Sequence, residues 1–130
     1  MYREKFIALV KAANKNADVL TVIEDQMNNL GSYVSTVYAM EVQMQTLRFR
    51  LDGEEYRDAI TTLDSRRRSA HEAAIAGCSV LNRVAGMLGA APLYAGSLED
   101  RHEVADFCIS IVDELFHGRE NCSVQELISA

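Results

Sequence analysis

Apolar residues recur along this chain in steps of three and four, the spacing that gathers them on one face of an α-helix. The longest such line is Tyr56, Ile60, Leu63, Ala70, Ala74, Gly77, Leu81, Val84 and Leu88, set between Asp52 and Gly89. It predicts a third helix over Gly53–Leu88, about 54 Å long if continuous at about 1.5 Å per residue. That is longer than its neighbours could cover, so it either overhangs them or is interrupted. Ser69 with Glu72 forms a capping box where a break could start, but the stripe keeps its phase across Ser69 and favours one helix.

Upstream, Phe6, Leu9, Ala13, Asn16, Leu20, Ile23, Met27 and Leu30 hold one phase. They predict a first helix from about Arg3 to Asn29, running through Asn14-Lys15-Asn16 although asparagine prefers caps and turns. Gly31 is placed to close that helix in the left-handed conformation, and Ser32 to cap the next. The second helix, Ser32 to Leu51, carries Tyr33, Val37, Met40, Met44, Leu47 and Leu51 on its face. Asp52 with Glu55 resembles a capping box at the next tight turn.

Gly89–Ser97 is the one longer loop, broken by Pro92. Ser97 and Asp100 open a fourth helix with Glu99 and Asp100 in its first turn. Its apolar face is Val104, Cys108, Ile111 and Leu115, and Gly118 ends it. Ser123, Glu126, Leu127 and Ile128 predict a short amphipathic turn in the tail. No alternation of period two appears, so no strands are expected. The expected fold is all-α: an antiparallel up-down four-helix bundle over residues 1–118 with a short C-terminal helical tail, residues 119–130, packing on the bundle or disordered.

Composition narrows the function classes. The 130 residues suffice for one domain with a core of its own. A net charge of −6 argues against nonspecific nucleic-acid or anionic-membrane binding, and Arg66-Arg67-Arg68 point in three directions on a helix. Cys78, Cys108 and Cys122 form neither an even set nor a C-x-x-C pair, which favours a reducing cytoplasm over a disulfide framework. The run Phe6–Val10 is too short for a signal-peptide core, and Val84–Leu98 is too short and glycine-broken for a membrane helix.

One polar cluster interrupts the apolar line. Asp64, Arg67 and His71 lie three and four residues apart on a face bordering the stripe. Counting back from the turn at Asp52 sets Asp64 level with Met40 and Glu41, and counting through the loop sets His71 level with Asp113 to His117. The expectation is a polar knot of Glu41, Asp64, Arg67, His71, Asp113 and His117, either a structural ion-pair network or a ligand pocket between helices.

Catalytic and metal signatures are weaker. Glu99-x-x-His102 and Glu114-x-x-His117 match an element of di-iron bundles, but both lie on one helix about 22 Å apart and cannot share a metal. Zinc held by His71, His117 and Asp113 is conceivable, but the ligands are dispersed. Glu103-x-x-Asp106 with Asp100 and Asp113 resembles the acidic ladder of all-helical nucleoside-triphosphate pyrophosphohydrolases, yet the paired Glu-x-x-Glu is missing and Glu55-x-x-Asp58 sits at the far end of the third helix. No cofactor or metal is therefore expected.

Arg57, Leu63-Asp64, Arg67-Arg68, His71 and Leu81-Asn82-Arg83, in that order on one helix, resemble a family of small uncharacterised bacterial all-helical proteins, a domain of unknown function. That resemblance implies a compact helical fold and supplies no activity. The expected role is a non-enzymatic cytoplasmic protein-interaction or regulatory module, as a homodimer or with another protein. Ile7, Val10, Val19 and Val22 lie off the first helix's main stripe and widen its apolar face. The alternative is a small-molecule or metal-dependent enzyme, pyrophosphohydrolase-like, built on the polar knot.

Overall fold

A computed structural model describes residues 1–50, 53–116 and 124. Within them the chain is the all-α bundle expected, with four helices and no strand: α1 (Tyr2–Ala12), α2 (Ala17–Arg50), α3 (Gly53–Leu88) and α4 (Arg101–Phe116). The turn at Leu51-Asp52, His117, the Gly118 stop, Cys122 and the expected tail helix lie outside the described residues, apart from Val124. Val124 is buried, and its N–H donates to Glu24 Oε2 at 3.2 Å.

The first two helices divide differently from the sequence expectation. The expected break at Gly31-Ser32 is absent, and the break comes instead at Asn14-Lys15-Asn16. Asn14 and Lys15 take left-handed φ values of 50° and 62°. Asn16 then caps α2, its Oδ1 accepting from Asp18 N at 3.1 Å and Val19 N at 3.3 Å. Asparagine's local side-chain bonding outweighs the unbroken apolar phase. Gly31 serves packing: a Cβ there would stand 2.5 Å from Phe116 Cε2, so only glycine lets the α4 aromatic close on α2. The fourth helix also starts later than expected, at Arg101, with Asp100 as its cap; Glu103 N donates to Asp100 Oδ1 at 3.1 Å.

Other ends follow the expected chemistry. Gly89 closes α3 at φ 73°, with Ala90 N bonded to Ala85 O and Gly89 N to Gly86 O, a Schellman arrangement. The following loop is pinned to α3 by Asn82, which donates to Tyr94 O at 2.7 Å and accepts from Tyr94 N at 3.2 Å. Leu93 and Tyr94 are buried there. No side chain of its own caps α1; Glu114 of α4 supplies the carboxylate, accepting from the Met1 ammonium and Arg3 N, each at 2.8 Å.

The helices are unequal, and this shapes the molecule. α2 and α3 run antiparallel for about 51 and about 54 Å, whereas α1 and α4 span only about 17 and about 24 Å. The third helix is continuous and overhangs. The short pair covers one half of the long hairpin, where Phe6, Leu9, Ile23, Met27, Leu30, Leu81, Val104 and Ile111 are almost fully buried. Beyond Val34 and before His71 the long helices continue alone as a two-helix arm, in which Met40 and Leu63 are the only buried residues among those described.

Two substitutions test this division. Asn16→Ala removes the α2 cap and is expected to cost about 1 kcal/mol. Gly31→Leu forces Phe116 aside and is expected to cost about 2–3 kcal/mol by overpacking. Urea unfolding measures both; a neutral Gly31→Leu would contradict the close approach of Phe116.

Candidate functional site

Of the polar residues singled out from the sequence, His71 sits at the neck, where bundle becomes arm, and Asp64 and Arg67 lie just beyond it on the arm half of α3. Tyr33 and His71 meet at the neck across α2 and α3, and nearer the tip Arg48 Nε donates to the Tyr56 hydroxyl at 3.4 Å. Both pairs fit one constant antiparallel register, which sets Asp64 level with Met40.

Arg67 donates to Asp64 Oδ1 at 2.6 Å, and Arg68 lies 3.5 Å from the other oxygen. Asp64 is thus paired along its own helix by neighbours three and four residues on. All three side chains are more than a third exposed, so each pair contributes about 0.2–1 kcal/mol. Glu41 and Asp113 are exposed and join no ion pair among the described residues. Of the six knot residues, Asp64 and Arg67 touch, His71 bonds elsewhere, and His117 lies outside the described residues.

His71 is half-buried. Its Nδ1 lies 3.4 Å from the Tyr33 hydroxyl, and the two rings meet edge to face with centroids 5.9 Å apart. Its Nε2 is buried without a hydrogen-bond partner. A neutral imidazole bears this best, because protonation would put a second N–H and a charge where nothing accepts them. Burial, then the Arg101 charge, holds the His71 pKa below the usual imidazole value, with Glu72 opposing. Burial pushes the Tyr33 hydroxyl up. The neck therefore holds a neutral Tyr–His pair that ties α2 to α3, with no activated nucleophile beside it.

Cys78 and Cys108 are buried free thiols bonded to each other between α3 and α4. The bond to Cys78, with burial, keeps Cys108 protonated, while the same bond lowers the Cys78 thiol against the opposing effect of burial. Among the described residues no group of three or more His, Cys, Asp or Glu is placed to hold a metal ion. An open groove of about 630 Å³ runs along the arm, lined by Thr36, Thr61, Thr62, Ser65, Arg66 and Ser69, none of them a knot residue.

Sequence reasoning missed the uncovered apolar face. It expected the widened face on the first helix, at Ile7, Val10, Val19 and Val22. Val10 is buried, Ile7 and Val19 are partly covered, and only Val22 reaches solvent. The bare face lies instead on the arm half of α2, where Tyr38, Val42 and Phe49 are 53%, 64% and 92% exposed. Their spacing, four and then seven residues, was the available signal; it was masked by the in-phase seam of Val37, Met40, Met44 and Leu47 on the opposite side.

Fold and neck together define a small all-helical bundle with a projecting two-helix arm, in which no described helix is long and apolar enough to cross a membrane. Residues 1–121 match the model of a family described as "Protein of unknown function (DUF3232)", and the chain belongs to that family. No curated protein and no solved structure matches it.

The His71 shift carries a pH signature. Its folded-state pKa lies below the unfolded value of about 6.5, so the unfolded chain binds the proton more readily. Stability is therefore expected to fall as pH drops from about 6.5 through the folded value. Glu114 acts in a lower window: the bond to the Met1 ammonium holds its pKa at about 2, so its contribution is lost only as pH falls from about 4.5 toward that value. His71→Leu is expected to lie within about 1 kcal/mol of wild type at pH 7 and to lose the slope between pH 7 and pH 5. Thermal unfolding against pH measures this; parallel profiles would show that His71 is not the titrating group.

Proposed function

We propose that this protein is a non-enzymatic protein-interaction module that binds its partner through the arm half of α2, in a reducing cytoplasm. The observation that carries this reading is one continuous stripe on α2 with two environments. Ile23, Met27, Gly31 and Val34 lie on its proximal half and are buried under the rest of the bundle. Tyr38, Val42 and Phe49 continue it in phase and are bare. A single exposed apolar residue is ordinary, but a row of three at helix-packing spacing is the signature of a face made to be covered. The neck supports the same reading, since its groups are paired or neutral and line no described cavity. The free thiols of Cys78 and Cys108 fit a reducing compartment.

If the bare stripe serves a partner and not the fold, replacing it with polar residues leaves the isolated chain intact. The double variant V42S/F49S is expected to keep the Tm of the dilute chain within about 2 °C of wild type, the range of surface substitutions. A loss of many degrees at dilute concentration would mean the stripe is part of this chain's own core and would overturn the reading.

A further inference from the structure

The occupant of the bare stripe can be read from its own pattern. Tyr38, Val42, Gln45 and Phe49 are spaced four, three and four, which is a coiled-coil seam with Tyr38 and Gln45 at d, and Val42 and Phe49 at a. Glu41 and Arg48 then both fall at g, on the same flank, and both are exposed. Ala39 and Thr46 fall at e on the other flank, both exposed and uncharged; the Thr46 hydroxyl bonds back to Val42 O at 2.9 Å.

We infer that the partner is a second copy of this chain, its α2 arm packed antiparallel against the first about a two-fold axis near residues 43–44. This rests on the arm being the docking face. In antiparallel packing a layers meet d layers and each flank meets its own kind across the axis. Tyr38 of one copy then stacks on Phe49 of the other, twice by symmetry, and Val42 packs on Gln45. The same register sets Glu41 opposite Arg48 of the second copy, giving two symmetric charge pairs on one side. On the other side Ala39 faces Thr46, small enough for close approach. A parallel pairing would set Glu41 against Thr46 and leave Arg48 without a carboxylate. Charge and size complementarity thus select the antiparallel self-pair.

The arm face is about 24 Å long and one helix, about 10 Å, wide, a few hundred Å² per copy. Stable complexes bury about 800 Å² per partner, so this pairing belongs to the weak, reversible class with a micromolar dissociation constant.

Sedimentation velocity on the full chain, from about 1 µM to about 300 µM, reads this directly. Wild type is expected to shift from monomer to dimer across that range. Glu41→Arg and Arg48→Glu each create two like-charge contacts and are expected to weaken the dimer about 5- to 30-fold. The double swap E41R/R48E restores the pairs and is expected to return affinity to within about 3-fold of wild type. V42S/F49S is expected to remain monomeric. A wild-type chain that is monomeric throughout overturns the second copy; if V42S/F49S also keeps its dilute Tm, the arm still stands as a docking face for another protein, and if it does not, both readings fall. A dimer indifferent to either single reversal, or not rescued by the swap, overturns the antiparallel register.

Discussion

The antiparallel seam between α2 and α3 is the constraint from which the rest of the structure follows. Its register is marked near the tip by Arg48 and Tyr56 and at the neck by Tyr33 and His71. Between them, among the described residues of the arm, two helices alone bury Met40 and Leu63 and no others. A two-helix layer leaves most of its surface wet, so the seam needs a second layer to make a core. α1 and α4 supply that layer over one half of the hairpin, and the small side of Gly31 lets Phe116 close it.

What is left uncovered is as informative as what is buried. The outer stripe of α2 passes without a phase change from full burial beside Met27 to nearly full exposure at Phe49. In the covered half the stripe meets helices of its own chain; in the bare half the same geometry is open to a helix from outside. The neck separates the halves. Its Tyr–His pair, with an imidazole that is best kept neutral, joins the long helices where four-helix packing ends. The ion pairs of Asp64 with Arg67 and Arg68 lie on the solvent side of that junction and do not reach Glu41 or Asp113.

Much of this was legible in the residues. Helix-period spacing alone defines α3 from Gly53 to Leu88, and the overhang follows from its length. The resemblance to an uncharacterised family rests on residues of the same helix, and the chain does belong to a family of unknown function. The first half of the chain was harder because a glycine and an asparagine each have two uses. Gly31 fits a helix end by propensity and a helix crossing by size, and only the position of Phe116 decides between them. Asn16 fits an interior position by phase and a cap by chemistry, and the cap prevails through its bonds to Asp18 and Val19. The polar cluster was legible as a shared face on α3 but not as a set of contacts. Side chains three and four residues apart pair with each other before reaching another helix.

α2 is one unbroken helix, covered along its first half and bare along its second. Amide hydrogen exchange across the chain, at two protein concentrations, reads both halves of that helix at once. Strong protection is expected to run through Gly31-Ser32, with weaker protection beyond Tyr38 at low concentration and a gain confined to the arm at high concentration. Rapid exchange at Gly31-Ser32, with equal protection on either side of it at both concentrations, would contradict it.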